Sequence, residues 1–283
     1  MHNRNIVDAI IEIVKAPKYH LGQYSSSLNR ANSAGVALEE YCKDIFAGTV
    51  GEENRQNRIN KISEAFSYIG NQHNPPDIIL KSGDAIEVKK IESKNSLLLL
   101  NSSYPKRKLY SDSSLITQEC RECDGTKWTE KDILYVVGLV KNSQLKALSM
   151  VYGMDYCDRK EVYESISNAI KNGILNITDV EFAETSELGR VNKVDHLGIT
   201  FLRMRGMWHI ENPFRVFDFE IDESKNFSLM VIIDKEKIAK LYNFSKLLDL
   251  EKQNPSFHIR DTKIQDPENP AILKSVQLIS YCI

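Results

Sequence analysis

The chain has 283 residues, 42% of them hydrophobic and 27% charged, with 13 glycines and 8 prolines, which excludes collagen-like, low-complexity and wholly disordered chains. At roughly 150 residues per domain the length suits one large domain or two modest ones. The net charge of −2, from 37 basic and 39 acidic residues, gives no general pull toward polyanions.

The mean hydropathy is −0.36, and the longest apolar runs, at 97–100 and 134–140, fall far short of the ~20 residues that span a bilayer. Asp8 and Glu12 interrupt the N-terminal apolar stretch, and no small-residue cleavage site follows it, so a secretory signal is not expected. A soluble protein of the cytoplasm, with no membrane partner, is the expectation.

In chain order, NIVDAIIEIVK at 5–15 places Ile6, Ala9, Ile10, Ile13 and Val14 on one helical face, and Pro17 stops it. A polar stretch, YHLGQYSSSLNRANS, reads as a loop, followed by helices at 34–47 and 53–69, the latter with Ile59, Ile62, Phe66 and Ile69 as its stripe. The period then changes. PPDIIL (75–80), the turn cluster KSGD (81–84) and the alternating AIEVKKIE (85–92) predict a β-hairpin. Strands are predicted at 132–140, 145–152, 215–221 and 228–233, helices at 159–172 and 235–250, and a proline-bearing tail closes the chain. Together these read as one α/β domain over 1–283 with a central mixed sheet, carrying insertions at 93–130 and 184–215.

Two segments are locally basic. Residues 81–109 hold seven basic side chains against three acidic ones, and 188–215 hold five against two. Such fields suit a polyanion but are common on solvated surfaces. The five cysteines are scattered, so reduced thiols are expected. Cys120-Arg-Glu-Cys123 is half of a zinc pattern that no second pair completes, and two ordinary thiols are the preferred reading.

The chemistry concentrates on Pro76-Asp77, nine residues, then Glu87-Val88-Lys89. Period-2 alternation sends Glu87 and Lys89 to one face, and the short turn returns Asp77 across from them. Two converging carboxylates are what Mg²⁺ asks for, with other positions left to water and a phosphate oxygen, and a lysine beside them stabilises charge in phosphoryl transfer. An ordinary hairpin with solvated Asp, Glu and Lys is the competing reading. Glu39, one helical turn before Cys42, either adds a carboxylate to this site or sits on a solvated face, while Glu40 points about 100° away.

With an upstream helical glutamate, Asp77…Glu87-Val88-Lys89 resembles the PD-(D/E)XK nuclease superfamily. The stretches RANSAGVALEEYCKDIFAG (30–48), PPDIILKSGDAIEVKKIES (75–93), LNSSYPKRKLYSDS (100–113) and GRVNKVDHLGITFLRMRGMW (189–208) resemble, more specifically, type II restriction endonucleases of the NgoPII family. The resemblance covers most of the chain. It implies a restriction-endonuclease-like domain with its catalytic core at about 30–175 and a recognition-rich segment at about 184–215, Mg²⁺-dependent cleavage of double-stranded DNA at a GGCC-type palindrome, 5′-phosphate ends, a homodimer and a partner methyltransferase. It makes Asp77 and Glu87 metal ligands, Lys89 the catalytic lysine and Glu39 a further catalytic carboxylate.

For the DNA, Arg190, Asn192, Lys193, Asp195, His196, Arg203 and Arg205 supply donors and an acceptor suited to base edges. Ser102, Ser103, Tyr104, Lys106, Arg107 and Lys108 suit phosphates, and Arg30 and Asn32, with Asn29, suit backbone or minor groove. Pairing of these arginines with Glu187 and Glu211, or plain solvation, is the alternative for each. Trp128 and Trp208 read as core or interface aromatics. His20, His196 and His209 lack a nucleophile motif, and no phosphate loop of the GxxxxGK[ST] type is present. Two other functions share the core: a structure-selective repair or recombination nuclease, and a non-catalytic DNA-binding module.

Overall fold

Asn5 starts the first helix by a reciprocal cap, its side chain accepting from the Val7 N–H while Asp8 accepts from the Asn5 N–H. The resulting α1 (Ile6–Lys15) buries every residue of its predicted stripe. These coordinates are a computed structural model describing residues 3–24, 30–71, 74–100, 103–125, 127–185 and 187–283, without the side chains of Gln23 and residues 30–33. Two long helices follow, α2 (Arg30–Ala47) and α3 (Arg55–Ala65). The first begins four residues earlier than the sequence suggests. The second ends at Ala65, because Phe66 and Tyr68 turn inward at strand spacing and open β1 (Phe66–Asn71).

The hairpin forms as predicted from β2 (Asn74–Leu80) and β3 (Ala85–Ile91), antiparallel and paired at Ile78 with Ile86 and Ile79 with Ala85. The first insertion supplies β4 (Leu97–Leu100), β5 (Lys108–Tyr110) and α4 (Gln118–Glu122). Strands β6 (Glu130–Lys141) and β7 (Gln144–Tyr152) lead to α5 (Lys160–Leu175). The short β8 (Glu181–Phe182) precedes the second insertion, which holds β9 (Gly189–Asn192), β10 (Leu202–Met204) and β11 (Trp208–Glu211). Then come α6 (Pro213–Val216), β12 (Ser228–Asp234), α7 (Lys235–Ala239), α8 (Phe244–Gln253), β13 (Phe257–Asp266) and β14 (Asn269–Cys282).

The central sheet runs β1-β2-β3-β6-β7-β12-β14-β13, with β5 added on β6. It is mixed: β3 runs parallel to β6 and β7 parallel to β12, and the other pairs are antiparallel. Both faces are covered, which is why LYVVGLV is apolar without alternation. On one face Leu134, Val136, Leu148, Met150, Leu229 and Val231 pack with α1 and α2. On the other, Ile133, Tyr135, Val137, Val151, Met230 and Ile232 pack with Leu98, Leu109 and Ile116 of the first insertion and with Phe214. Among the described residues no helix is long and apolar enough to cross a membrane.

Three predicted elements are corrected. Residues 215–221 form no strand: Asn212 caps a short helix with Pro213 in its first turn, and that start signal outweighs the alternation of Phe217, Phe219 and Ile221. The helix expected at 235–250 is two helices broken at 240–243. The tail is a long hairpin, β13–β14. Cys120 and Cys123 are buried in the second core as free thiols, with burial pushing Cys120 up to about 12.

Candidate active site

The β2–β3 ladder stops at Ile78 and Ile86, and the strands fork beyond that pair. Asp77 sits at the fork. Its Oδ2 accepts the Val88 backbone N–H at 2.6 Å, so the carboxylate takes the place of the missing ladder bond. On β3, Glu87 and Lys89 share a side, and the Lys89 ammonium donates to Glu87 Oε1 at 2.6 Å. From α2, Glu39 brings a third carboxyl into the field of Lys89 and Glu87. The arrangement that the spacing predicts is thus present: Asp77, Glu87 and Lys89 meet, with Glu39 beside them. Glu40 faces away and pairs with Lys43 at 2.6 Å and Arg58 at 3.0 Å.

The electrostatics are those of a place short of positive charge. Burial, then the Glu87 carboxylate, pushes Asp77 up to about 7 against the pull of Lys89 and the Val88 N–H. Burial also raises Glu39, with Lys43 and Lys89 opposing. For Lys89, burial disfavours the ammonium, but Glu87 and Asp77 outweigh it and hold the group above its ordinary value. The second oxygen of Glu87, Oε2, is buried with no hydrogen-bond partner. Such an oxygen is costly unless something binds it, and it suits a hard cation. Among the described residues, no three His, Cys, Asp or Glu side chains form a complete cage.

The chain matches the NgoPII restriction endonuclease family model over residues 4–265. It is 51% identical over 280 residues to the type II restriction enzyme NgoPII of Neisseria gonorrhoeae, covering 98% of this chain and 99% of that protein. This chain belongs to the NgoPII restriction endonuclease family. No solved structure matches it. Membership in the NgoPII family makes the chain an enzyme, a restriction endonuclease, in place of a non-catalytic binding module.

Six of the residues expected to meet DNA line a cleft of about 760 Å³, and Arg190, Asn192, Lys193, Asp195, His196 and Arg203 do not. Ser103, Tyr104, Lys106, Arg107 and Lys108 line one part of it, Lys160 and Lys171 of α5 another, and Arg205 and Trp208 a third. The 103–108 segment is not the free basic turn its composition suggests. Tyr104 donates to Glu164 at 2.7 Å and stacks on Tyr163, Arg107 pairs with Glu268, and Lys108 pairs with Glu130 and lies 3.8 Å from Asp132. Lys106 is buried.

In the second insertion Arg203 and Arg205 both pair with Glu187, at 2.7 and 2.6 Å, which is the pairing weighed against base contact. Asp195 accepts from the N–H groups of Leu197 and Thr200, at 2.9 and 2.7 Å, and so organises its own turn around His196. Lys193 pairs with Glu181 at 3.0 Å, Arg190 lies over the Phe201 ring, and Asn192 keeps a buried, unpartnered Oδ1. Asn29 and Ser102 lie outside the described residues, as do the side chains of Arg30 and Asn32. The α5 lysines were not singled out in the sequence. Their signal is the polar face Lys160, Glu164, Ser167, Asn168 and Lys171, at helical spacing, which turns toward the cleft.

Proposed function

We propose that this chain is a type II restriction endonuclease that hydrolyses phosphodiesters of double-stranded DNA at a short, GGCC-type palindrome. It works in the cytoplasm as a homodimer, leaves 5′-phosphate ends and has a DNA methyltransferase as its genetic partner. The observation that carries the reading is the convergence of Asp77, Glu87 and Lys89 at the β2–β3 fork with Glu87 Oε2 left unpartnered. Family membership and the 51% identical relative support it, as does the PD-(D/E)XK pattern of the three residues.

Asp77 and Glu87 would hold Mg²⁺, with Glu39 near enough to tune the charge of the site. The ion, when bound, supplies a Lewis acid at the phosphate and a water of lowered pKa. Glu87 orients Lys89 through their ion pair. Because its carboxylate neighbours keep Lys89 protonated, it acts by donating hydrogen bonds and positive charge to the phosphate as negative charge develops there, not by taking a proton. A two-fold dimer matches a two-fold target, with one site per strand.

The test is digestion of unmethylated phage DNA by the purified protein, with Mg²⁺ or with EDTA, and sequencing of the fragment ends. Discrete Mg²⁺-dependent fragments sharing one palindrome support the reading. Smeared products would replace it with a structure-selective nuclease.

A further inference from the structure

Lys106 lies between β4 and β5 and is only 7% exposed. Its backbone is clamped from two sides. The N–H donates to the Tyr135 hydroxyl at 2.7 Å, and the carbonyl packs so closely on Gly153 that an added Cβ there would overlap it. Tyr135 stands opposite Glu87 on the adjacent parallel strand, so the clamp holds Lys106 beside the carboxylate cluster.

The ammonium of Lys106 bonds to the neutral Ser103 hydroxyl and has no ion pair among the described residues, whereas Lys89, Arg107 and Lys108 all do. Burial pulls it down to about 8, with Glu87 opposing and Lys89 adding to the fall. An ammonium kept out of water without a carboxylate is expensive, and this one lies in the field of Glu87, whose Oε2 is itself unpartnered. Lys106 also lines the polar cleft shared by Tyr104, Lys160, Lys171 and Arg205. It therefore joins two features that are otherwise separate, the carboxylate cluster and the cleft.

We propose that Lys106 is a second active-site lysine, contacting a non-bridging oxygen of the scissile phosphate from the cleft side. This rests on the nuclease reading of Asp77, Glu87 and Lys89. As the water oxygen bonds to phosphorus and the bond to the 3′ oxygen breaks, Lys106 keeps its proton and offsets the charge gathering on the phosphoryl oxygens. The attacking water gives up one proton to solvent, and the departing 3′ oxygen takes one from it. The counter-charge that the fold withholds comes chiefly from the charge that gathers on the phosphoryl oxygens in the transition state, so the contact acts on the rate more than on binding. Arg107 and Lys108, which have carboxylate partners, are left to hold the segment and the duplex.

Lys106→Met removes the charge and keeps the bulk of the stem. Three quantities decide the matter: the single-turnover cleavage rate with Mg²⁺, the Kd for the same duplex in Ca²⁺, and the Tm of the protein alone in EDTA. The expected result is a rate at least 100-fold lower, a Kd changed by less than about fivefold, and a Tm equal to or above that of the wild type. A rate within threefold of wild type overturns the inference, as does a rate loss matched by lost affinity or by a lower Tm. Asp77→Ala is run beside it. If Asp77→Ala still cuts, or if wild type leaves DNA intact, the nuclease reading falls and the inference with it. If Asp77→Ala is inactive and Lys106→Met cuts normally, the inference falls alone.

Discussion

Replacing Lys106 by methionine tests the cost of its burial as well as its role. Its ammonium is pulled from 10.5 to about 8, and at 1.36 kcal/mol per pKa unit that difference is roughly 3 kcal/mol, an order-of-magnitude figure for a 7% exposed side chain. The sign follows from proton counting. Between pH 8 and 10.5 the unfolded chain still carries this proton and the folded chain has lost it, so stability rises with pH across that window. Below pH 8 both states are protonated and the full cost is present. Lys106→Met should therefore be more stable than wild type at pH 7, by roughly 1–3 kcal/mol after packing losses, and the gap should close as pH approaches 10.5. Urea unfolding of both proteins at pH 7, 8, 9 and 10, in EDTA, measures it. A variant less stable at pH 7, or a gap that does not change with pH, would refute the argument that this lysine is a destabilising charge kept for function.

Other consequences concern the frame and the cleft. Asp44 is 3% exposed and accepts from Arg58 Nε at 2.7 Å, Thr49 Oγ1 at 2.5 Å and Tyr24 OH at 2.9 Å. Asp44→Ala should cost about 3 kcal/mol in chemical denaturation, the low end for a broken buried pair because Arg58 keeps some water. At Gly153 a Cβ would lie 2.5 Å from the Arg107 carbonyl and 2.8 Å from the Ile133 side chain. Gly153→Ala should destabilise by about 1–3 kcal/mol and, by moving Lys106, lower the cleavage rate of the fraction that remains folded. Glu187→Ala releases Arg203 and Arg205 together. It should raise affinity for non-specific duplex several-fold at low salt, measured by fluorescence anisotropy, with the gain gone at high ionic strength.

The β2–β3 hairpin was legible because it is local. Two prolines, the KSGD turn and the alternation after it determine the register within 85–92, and that register alone places Glu87 with Lys89. The terminal hairpin was hidden for a physical reason. Over most of β13 and the outer half of β14 no residue is fully buried, so the apolar alternation is sparse: Phe257, Val276, Ile279 and Tyr281 are buried and Ile259 and Ile264 only half-buried. At 215–221 a strand-like alternation lost to the Asn212-Pro213 helix start, and Phe214, Phe217 and Phe219 pack against the second core from a short helix and coil. The 103–108 segment shows the limit for sites. Its residue types say basic and exposed, yet the burial of Lys106 depends on Tyr135 and Gly153, partners 29 and 47 residues away that no local pattern connects to it.

The central claim is that Asp77, Glu87 and Lys89 form the hydrolytic centre of a site-specific endonuclease. The most direct measurement compares wild type with Asp77→Asn and Lys89→Ala in single-turnover cleavage of a cognate duplex, all saturated with DNA as shown by anisotropy. The account predicts losses of at least about 10³-fold in rate for both variants, the scale of removing a main electrostatic group from a catalytic site, with wild-type binding. Cleavage within tenfold of wild type by either variant would contradict it.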